Sequence, residues 1–293
     1  MSSIHDGTHG LIREVLRDAK QRLQASGSDS ARRDAELLLL HVLQRNTTWL
    51  YSHDDETLEP ELYQEFLGLL QRREQGEPVA HLVKQRGFWT LDLMVNSHTL
   101  IPRPETEMLV EFALERIPRG AAEAVLDLGT GSGAIALAVK SERPTCGVTA
   151  VDASAEALAV ARTNAEQLSL SVEFVHGSWF SPLSGRRFYL ILSNPPYIPQ
   201  DDVHLAQGDV RFEPRSALVS GADGLDDIRE LVRSAPEYLL PGGWLALEHG
   251  HDQAPQVRVM LQIAGFEQVD SRCDLNGHER ITFGCHNGEA NPC

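Results

Sequence analysis

Cysteine is scarce. Four residues (Cys146, Cys273, Cys285 and Cys293) are scattered with no Cys-x-x-Cys spacing, which excludes a zinc ribbon or a disulfide framework as the basis of the fold. No apolar run approaches the roughly 20 residues of a membrane span. The opening Met1–Thr8 is polar where a secretory leader has an apolar core, so a cytoplasmic protein with no membrane partner is expected. Positive charge is in deficit, with 26 Lys and Arg against 42 Asp and Glu and a net charge of −16. Proteins that hold phosphate backbones carry the opposite sign, so direct nucleic-acid binding is not expected. Acidity of this kind serves solubility. Internal repeats and low-complexity tracts are missing too.

What is present is ordinary globular material, 42% hydrophobic and 23% charged over 293 residues, enough for two domains. Residues 11–75 read as helical. Ile12, Val15, Leu16, Ala19 and Leu23 recur at helical spacing. Asp34–Leu43 is apolar nearly all round, and Glu59–Arg73 forms a third helix that Gly76-Glu77-Pro78 ends. This part carries no chemical motif. From Gly87 to Val95 apolar and polar residues alternate, as in a short hairpin between domains. Pro104 with Glu105 and Glu107 then starts a helix, and the two carboxylates suit its first turn or the mouth of a nearby site.

Thereafter strands and helices alternate. The strands are expected at 124–128, 147–151, 172–176, 188–192, 244–248, 266–269 and 279–283, and the helices at 134–139, 154–167, 225–238 and 253–264. Such alternation implies a mainly parallel sheet covered on both faces. The first strand ends in Val125-Leu126-Asp127-Leu128-Gly129-Thr130-Gly131-Ser132-Gly133 and runs into a helix. Glycines there let the backbone approach a ligand, and the helix start offers free N–H groups. Asp152 ends the second strand, where a carboxylate can accept both hydroxyls of a ribose. Any nucleoside-type ligand fits this much, NAD included. Two details turn the reading away from NAD: the spacer residue of the dinucleotide fingerprint is missing, and Asp127 stands where those folds carry an apolar residue.

The strand Phe188–Leu192 leads into Ser193-Asn194-Pro195-Pro196-Tyr197. Two consecutive prolines force the chain out of the sheet, and Pro195 biases Asn194 towards an extended backbone. The product is a rigid polar hook. The Asn194 oxygen and the Pro195 carbonyl can accept both hydrogens of an –NH2 group, with Tyr197 as an aromatic wall. The long polar loop 199–224, containing Glu213-Pro214, is expected to flank whatever the hook holds.

Together, Asp-Leu-Gly-Thr-Gly-Ser-Gly, Asp152 and Asn-Pro-Pro-Tyr resemble a class I S-adenosylmethionine-dependent methyltransferase acting on a planar nitrogen. More narrowly, the chain resembles the release factor glutamine N5-methyltransferases (the PrmC/HemK family). Ile101-Pro102-Arg103-Pro104-Glu105-Thr106-Glu107 is the most discriminating block, joined by Asp34–Leu39, Glu77–Ala80, Glu213-Pro214, Ala217–Val219, Pro241–Leu245 and Glu279–Thr282. His81, Val83 and Lys84 depart from the family pattern, and the tail after Gly284 has no counterpart.

The resemblance implies a Rossmann-like seven-stranded α/β domain over 101–293, preceded by a helical substrate-docking bundle over 1–80 and a β-hairpin linker over 81–100. It implies S-adenosylmethionine bound by Gly129, Thr130, Gly131, Ser132, Gly133, Asp152, Trp179 and Asn194, with Trp179 on the adenine side. It implies substrate binding by Asn194, Pro195, Pro196 and Tyr197, with Asn194, Pro195 and Tyr197 catalytic. The acceptor it implies is the glutamine of the Gly-Gly-Gln motif in peptide chain release factors, methylated by a monomer without a metal. His176, His249 and His251 take no proton-transfer role in this reading. The alternatives are an N6-adenine methyltransferase acting on nucleic acid, since an exocyclic amine suits the same hook, and a non-catalytic cofactor-binding protein. Against the first stand the acidic charge and the want of a basic, aromatic stripe.

Overall fold

The structure, a computed structural model, describes residues 10–288. Met1–Thr8 and Cys293 lie outside the described residues. The chain divides into two units, residues 1–84 with 206–212, and residues 85–205 with 213–293.

The first unit is helical, with α1 (Ile12–Ala25), α2 (Ala31–Leu43), α3 (Thr47–Ser52), α4 (Pro60–Glu74) and α5 (Val79–Val83). The apolar stripe of α1 buries Ile12, Val15, Ala19 and Leu23 against Leu38 and Leu39 of α2 and Phe66 and Leu70 of α4. Pro60 sits in the first turn of α4, where its missing N–H costs nothing. The Asn46 side chain caps α3 by accepting from Trp49 N at 2.9 Å. Buried Asp34 accepts from the Ser28 and Ser30 hydroxyls and from Arg73 Nε at 2.8 Å. Arg73 also reaches Asp209 at 2.8 Å, which ties the 206–212 segment to α4. Leu82 of α5 is part of this helical core, so the helices run to Val83, three residues past the bundle boundary read from the sequence.

The second unit opens with the hairpin β1 (Gln85–Phe88) and β2 (Leu91–Met94). Phe88 and Leu93 bury in the core of the α/β domain. The turn residue Trp89 has a positive φ of 55°, and its N–H is held by Glu107 Oε1 at 2.7 Å. Then follow α6 (Glu107–Arg116), β3 (Ala124–Leu128), α7 (Ala134–Glu142), β4 (Gly147–Asp152), α8 (Ala155–Leu168), β5 (Glu173–His176) and β6 (Phe188–Ser193). The unit ends with α9 (Asp226–Tyr238), β7 (Leu239–Glu248), α10 (Ala254–Ile263), β8 (Glu267–Cys273) and β9 (Glu279–His286).

The seven strands form one sheet in the order β5-β4-β3-β6-β7-β9-β8, parallel from β5 to β7 and antiparallel at β9 and β8. Both faces are covered, as near-continuous apolar strands require. Val125, Leu190 and Leu192 face a core shared with α6 and α7. Leu126, Leu128, Phe188 and Ile191 face the other, shared with α9 and α10. β7 starts five residues earlier than the sequence reading places it, because Leu239 pairs with Phe188 across a bulge. β9 also runs longer, since Trp244 and Gly243 pair with Cys285 and His286, and so does β8, since Asp270 to Cys273 pair along β9.

Candidate active site

In a doubly wound sheet ligands bind outside the carboxyl ends of the strands, where the winding reverses. Here the reversal falls at β3, flanked by β4 on one side and β6 on the other. Leu128 pairs with Val151 and with Ser193, so Gly129, Asp152 and Asn194 stand level at the carboxyl ends of three neighbouring strands. A cavity of about 490 Å3 opens there, within the ~300–1,000 Å3 usual for small-molecule sites. Gly129–Ser132, Asp152, Trp179, Asn194 and Pro196 line it.

On the β4 side the wall is shaped by main chain. Gly129 N and Thr130 N donate to Val151 O at 2.9 and 3.0 Å, and Gly131 N donates to Asp152 Oδ2 at 2.8 Å. Gly129 has φ +71°, and a Cβ there would lie 3.3 Å from the Trp179 ring; only glycine allows both the turn and the approach of that ring. Asp152 Oδ1 accepts from Ser154 N at 2.8 Å, which fixes the carboxylate plane. Behind the loop, wholly buried Asp127 accepts the Thr130 hydroxyl at 2.6 Å and Ala136 N at 3.2 Å. Its Oδ1 has no partner among the described residues. Burial pushes its pKa up to about 7 against those two bonds.

On the β6 side the work falls to side chains. The Ser193 hydroxyl donates to Leu128 O at 2.7 Å and locks β6 to β3. Asn194 Nδ2 donates to Thr106 Oγ1 at 3.1 Å, so the remaining polar atom of the amide, Oδ1, is an acceptor. Pro195 is buried, and neither it nor Tyr197 lines the cavity. The Tyr197 hydroxyl donates to Glu248 Oε1 at 3.3 Å, and burial pushes its pKa well above the usual phenol range. Glu248, at the end of β7, is itself pushed up to about 7 by burial. The hook is braced from behind. Gln253 Nε2 donates to Tyr197 O at 3.0 Å, and Gly224 backs onto the same carbonyl, where any Cβ would collide.

The loop expected to flank the site contributes Pro214, Ser216 and Ala217. Buried Glu213 accepts from Ile101 N at 2.8 Å and pairs with Arg103. One carboxylate thus holds the Pro-Arg-Pro block against the loop. Glu105 and Glu107, which the sequence allows at a cofactor mouth, do not line the cavity. Instead Glu107 holds the hairpin turn. Sequence reasoning missed Ser97–Leu100 and Asp227 as lining residues, since they sit in no recognisable motif, and Thr106, whose block Ile101–Glu107 carries the family resemblance but no assigned contact. His249 is buried between Thr282 Oγ1 (2.7 Å) and Gly250 O (2.9 Å), and burial lowers its pKa. Among the described residues no group of three or more His, Cys, Asp or Glu could hold a metal ion.

The cavity suits a nucleoside on its β4 side, with a carboxylate for ribose and an indole beside a glycine for a base. On its β6 side an amide oxygen suits an –NH2 group. The family profile described as "PrmC N-terminal domain" matches residues 14–83, and that described as "Methyltransferase small domain" matches residues 104–212. A protein of Xylella fastidiosa (strain 9a5c) named "Release factor glutamine methyltransferase" is 52% identical over 263 residues, 89% of this chain and 96% of its own length. A protein of the same name from Vibrio cholerae is 49% identical over 280 residues, 95% of this chain and 98% of its own. A methyltransferase crystal structure from Pyrococcus furiosus aligns with a TM-score of 0.53 at 20% identity, over 74% of this chain and 97% of that one, and shares the fold.

Proposed function

This chain belongs to the release factor glutamine methyltransferases, and on that premise we propose that it methylates the side-chain amide N5 of the Gly-Gly-Gln glutamine in peptide chain release factors, with S-adenosylmethionine as donor. The observation that carries the reading is the polarity of Asn194, whose Nδ2 is tied to Thr106 and whose oxygen remains to accept at the same sheet edge as the glycine loop.

The residues fit the donor. Gly129–Gly133 form a cradle with no room for side chains at Gly129, Asp152 supplies ribose acceptors, and the Trp179 face supplies a surface for a nucleobase. When bound, S-adenosylmethionine supplies an electrophilic methyl group on a sulfonium. A glutamine amide nitrogen is a poor nucleophile because its lone pair is delocalised into the carbonyl. Asn194 Oδ1 and the Pro195 carbonyl accept its two N–H hydrogens and orient it. The same two oxygens stabilise positive charge developing on the nitrogen, the electrostatic form of catalysis. Holding reactants aligned in this way lowers barriers by on the order of 7 kcal/mol or more in favourable cases. In the net exchange the nitrogen gains a methyl group and loses a proton. An N-protonated amide is acidic enough to release that proton without a dedicated base, so His176, His249 and His251 take no proton. Tyr197 acts as the wall behind the hook. The helical unit is the part that docks the protein substrate, and the chain acts as a monomer.

Methyl transfer from labelled S-adenosylmethionine tests this. The acceptors are a purified release factor, the same factor with its Gly-Gly-Gln glutamine replaced, an adenine-containing DNA duplex and an RNA. Label on the intact factor alone is expected; label on nucleic acid alone would overturn the reading.

A further inference from the structure

The Asn194 amide can serve as an acceptor only if it is held one way round. Its neighbour Thr106 does not enforce this by itself, because a hydroxyl can accept from Nδ2 or donate to Oδ1 equally well. Thr106 is buried, and its oxygen accepts from Asn194 Nδ2 at 3.1 Å. The Thr106 proton must therefore point elsewhere, and the group it faces is the Glu248 carboxyl. Glu248 is 1% exposed. It stands level with Asn194, because Leu247 pairs with Ser193. One of its oxygens takes the Tyr197 hydroxyl at 3.3 Å, and the other, Oε2, is buried with no hydrogen-bond partner among the described residues. A buried carboxyl with a spare acceptor is costly unless a donor answers it, and the neighbouring Thr106 hydroxyl is the donor at hand.

We propose that Glu248 is a positioning residue that sets the direction of the relay Asn194–Thr106–Glu248, and so turns the Asn194 oxygen towards the substrate –NH2 group. As a proton acceptor Glu248 forces Thr106 to donate to it, which leaves Thr106 able only to accept from Asn194. The same carboxyl holds the Tyr197 hydroxyl, so it braces both ends of the Asn-Pro-Pro-Tyr hook. This rests on the methyl-transfer reading and adds to it the group that selects an amide's acceptor face.

The relay has a pH signature. The groups facing Glu248 are Thr106 and Glu105 from the turn before α6, Tyr197 from the hook and Arg280 from β9. Burial dominates them and holds the carboxyl up to about 7. When protonated, Glu248 can donate to Thr106 and reverse the relay, so kcat rises with pH through that value.

The test compares Glu248→Gln, Thr106→Val and Thr106→Ser with the unaltered protein on release factor across pH, alongside the Kd for S-adenosylmethionine and the Tm. Glu248→Gln keeps the shape but can donate as well as accept. It is expected to lower kcat by up to about 100-fold, the scale of a misplaced catalytic group, to flatten the pH limb near 7 and to leave cofactor Kd unchanged. Thr106→Val should match it, and Thr106→Ser, which keeps the hydroxyl, should restore kcat. If Glu248→Gln fails to fold, the two Thr106 variants decide alone. Wild-type kcat in Glu248→Gln or in Thr106→Val would overturn the inference. So would equal losses in cofactor Kd and Tm, which mark a merely structural role. An unaltered protein inactive on release factor overturns the functional reading, and this inference with it.

Discussion

On the β4 side of the cavity the loop's N–H groups face a strand carbonyl and one carboxylate, and the residues that matter are those with no side chain. On the β6 side the determining groups are an amide, a hydroxyl and a carboxyl, each drawn from a different segment. The first kind of wall is set by local backbone and is sensitive to bulk. The second is set by tertiary register and is sensitive to polarity. A cofactor common to many reactions is well served by the first, while the choice of acceptor atom depends on the second.

Substitutions should therefore separate the two sides. Asn194→Ala removes the acceptor and is expected to cut kcat on the order of 10²–10³-fold, as for one preorganised polar contact, with cofactor Kd largely intact. A matching loss of cofactor binding would mean that the two sides are not separable. Trp179→Ala should do the reverse, weakening cofactor binding by about 1–3 kcal/mol while kcat at saturation holds; calorimetric titration reads it. Gly129→Ala places a non-glycine residue at φ +71° and presses the Trp179 ring. The left-handed backbone alone costs about 1–2 kcal/mol, so cofactor Kd should rise roughly tenfold.

The smallest effect concerns Asp127, whose carboxyl ordinarily titrates near 3.8 and is held to about 7 in the folded chain. Between those values the folded state keeps a proton that the unfolded state has released. Its contribution to stability therefore falls as pH rises through the window, and Glu248, raised from 4.5 to about 7, adds to the same slope. Asp127→Asn should lose less Tm than the unaltered protein between about pH 5 and 7.5. A steeper decline in the variant would show that the buried group is not protonated there.

Much of the β4 wall can be read in the sequence because its parts are contiguous: a strand, a glycine turn and a helix follow one another from Val125 to Glu142. The hook is legible for the same reason. Thr106 and Glu248 are not, since they stand 88 positions before Asn194 and 51 after Tyr197. Only the β6–β7 register and the turn before α6 bring them together. The five-residue α5 and six-residue α3 also escape notice, because a helix this short shows no apolar period and is held by packing and caps. Pro241-Gly242-Gly243 falls before the strand expected at 244–248, yet lies inside β7.

Asn164 of α8 accepts from Met94 N at 2.7 Å and donates to Met94 O at 3.0 Å and Ser132 O at 2.9 Å. This one buried amide joins the second hairpin strand to the glycine turn, and it bears on where the chain can be cut. A shortened protein beginning at Ile101, after the hairpin, would leave Asn164 with two of its three partners removed in a dry interior, at about 1–3 kcal/mol for each group left unmet. It would also strip Phe88 and Leu93 from the core. A shortened chain that keeps Asn164 and this core satisfied therefore has to begin no later than Gln85, with the hairpin retained.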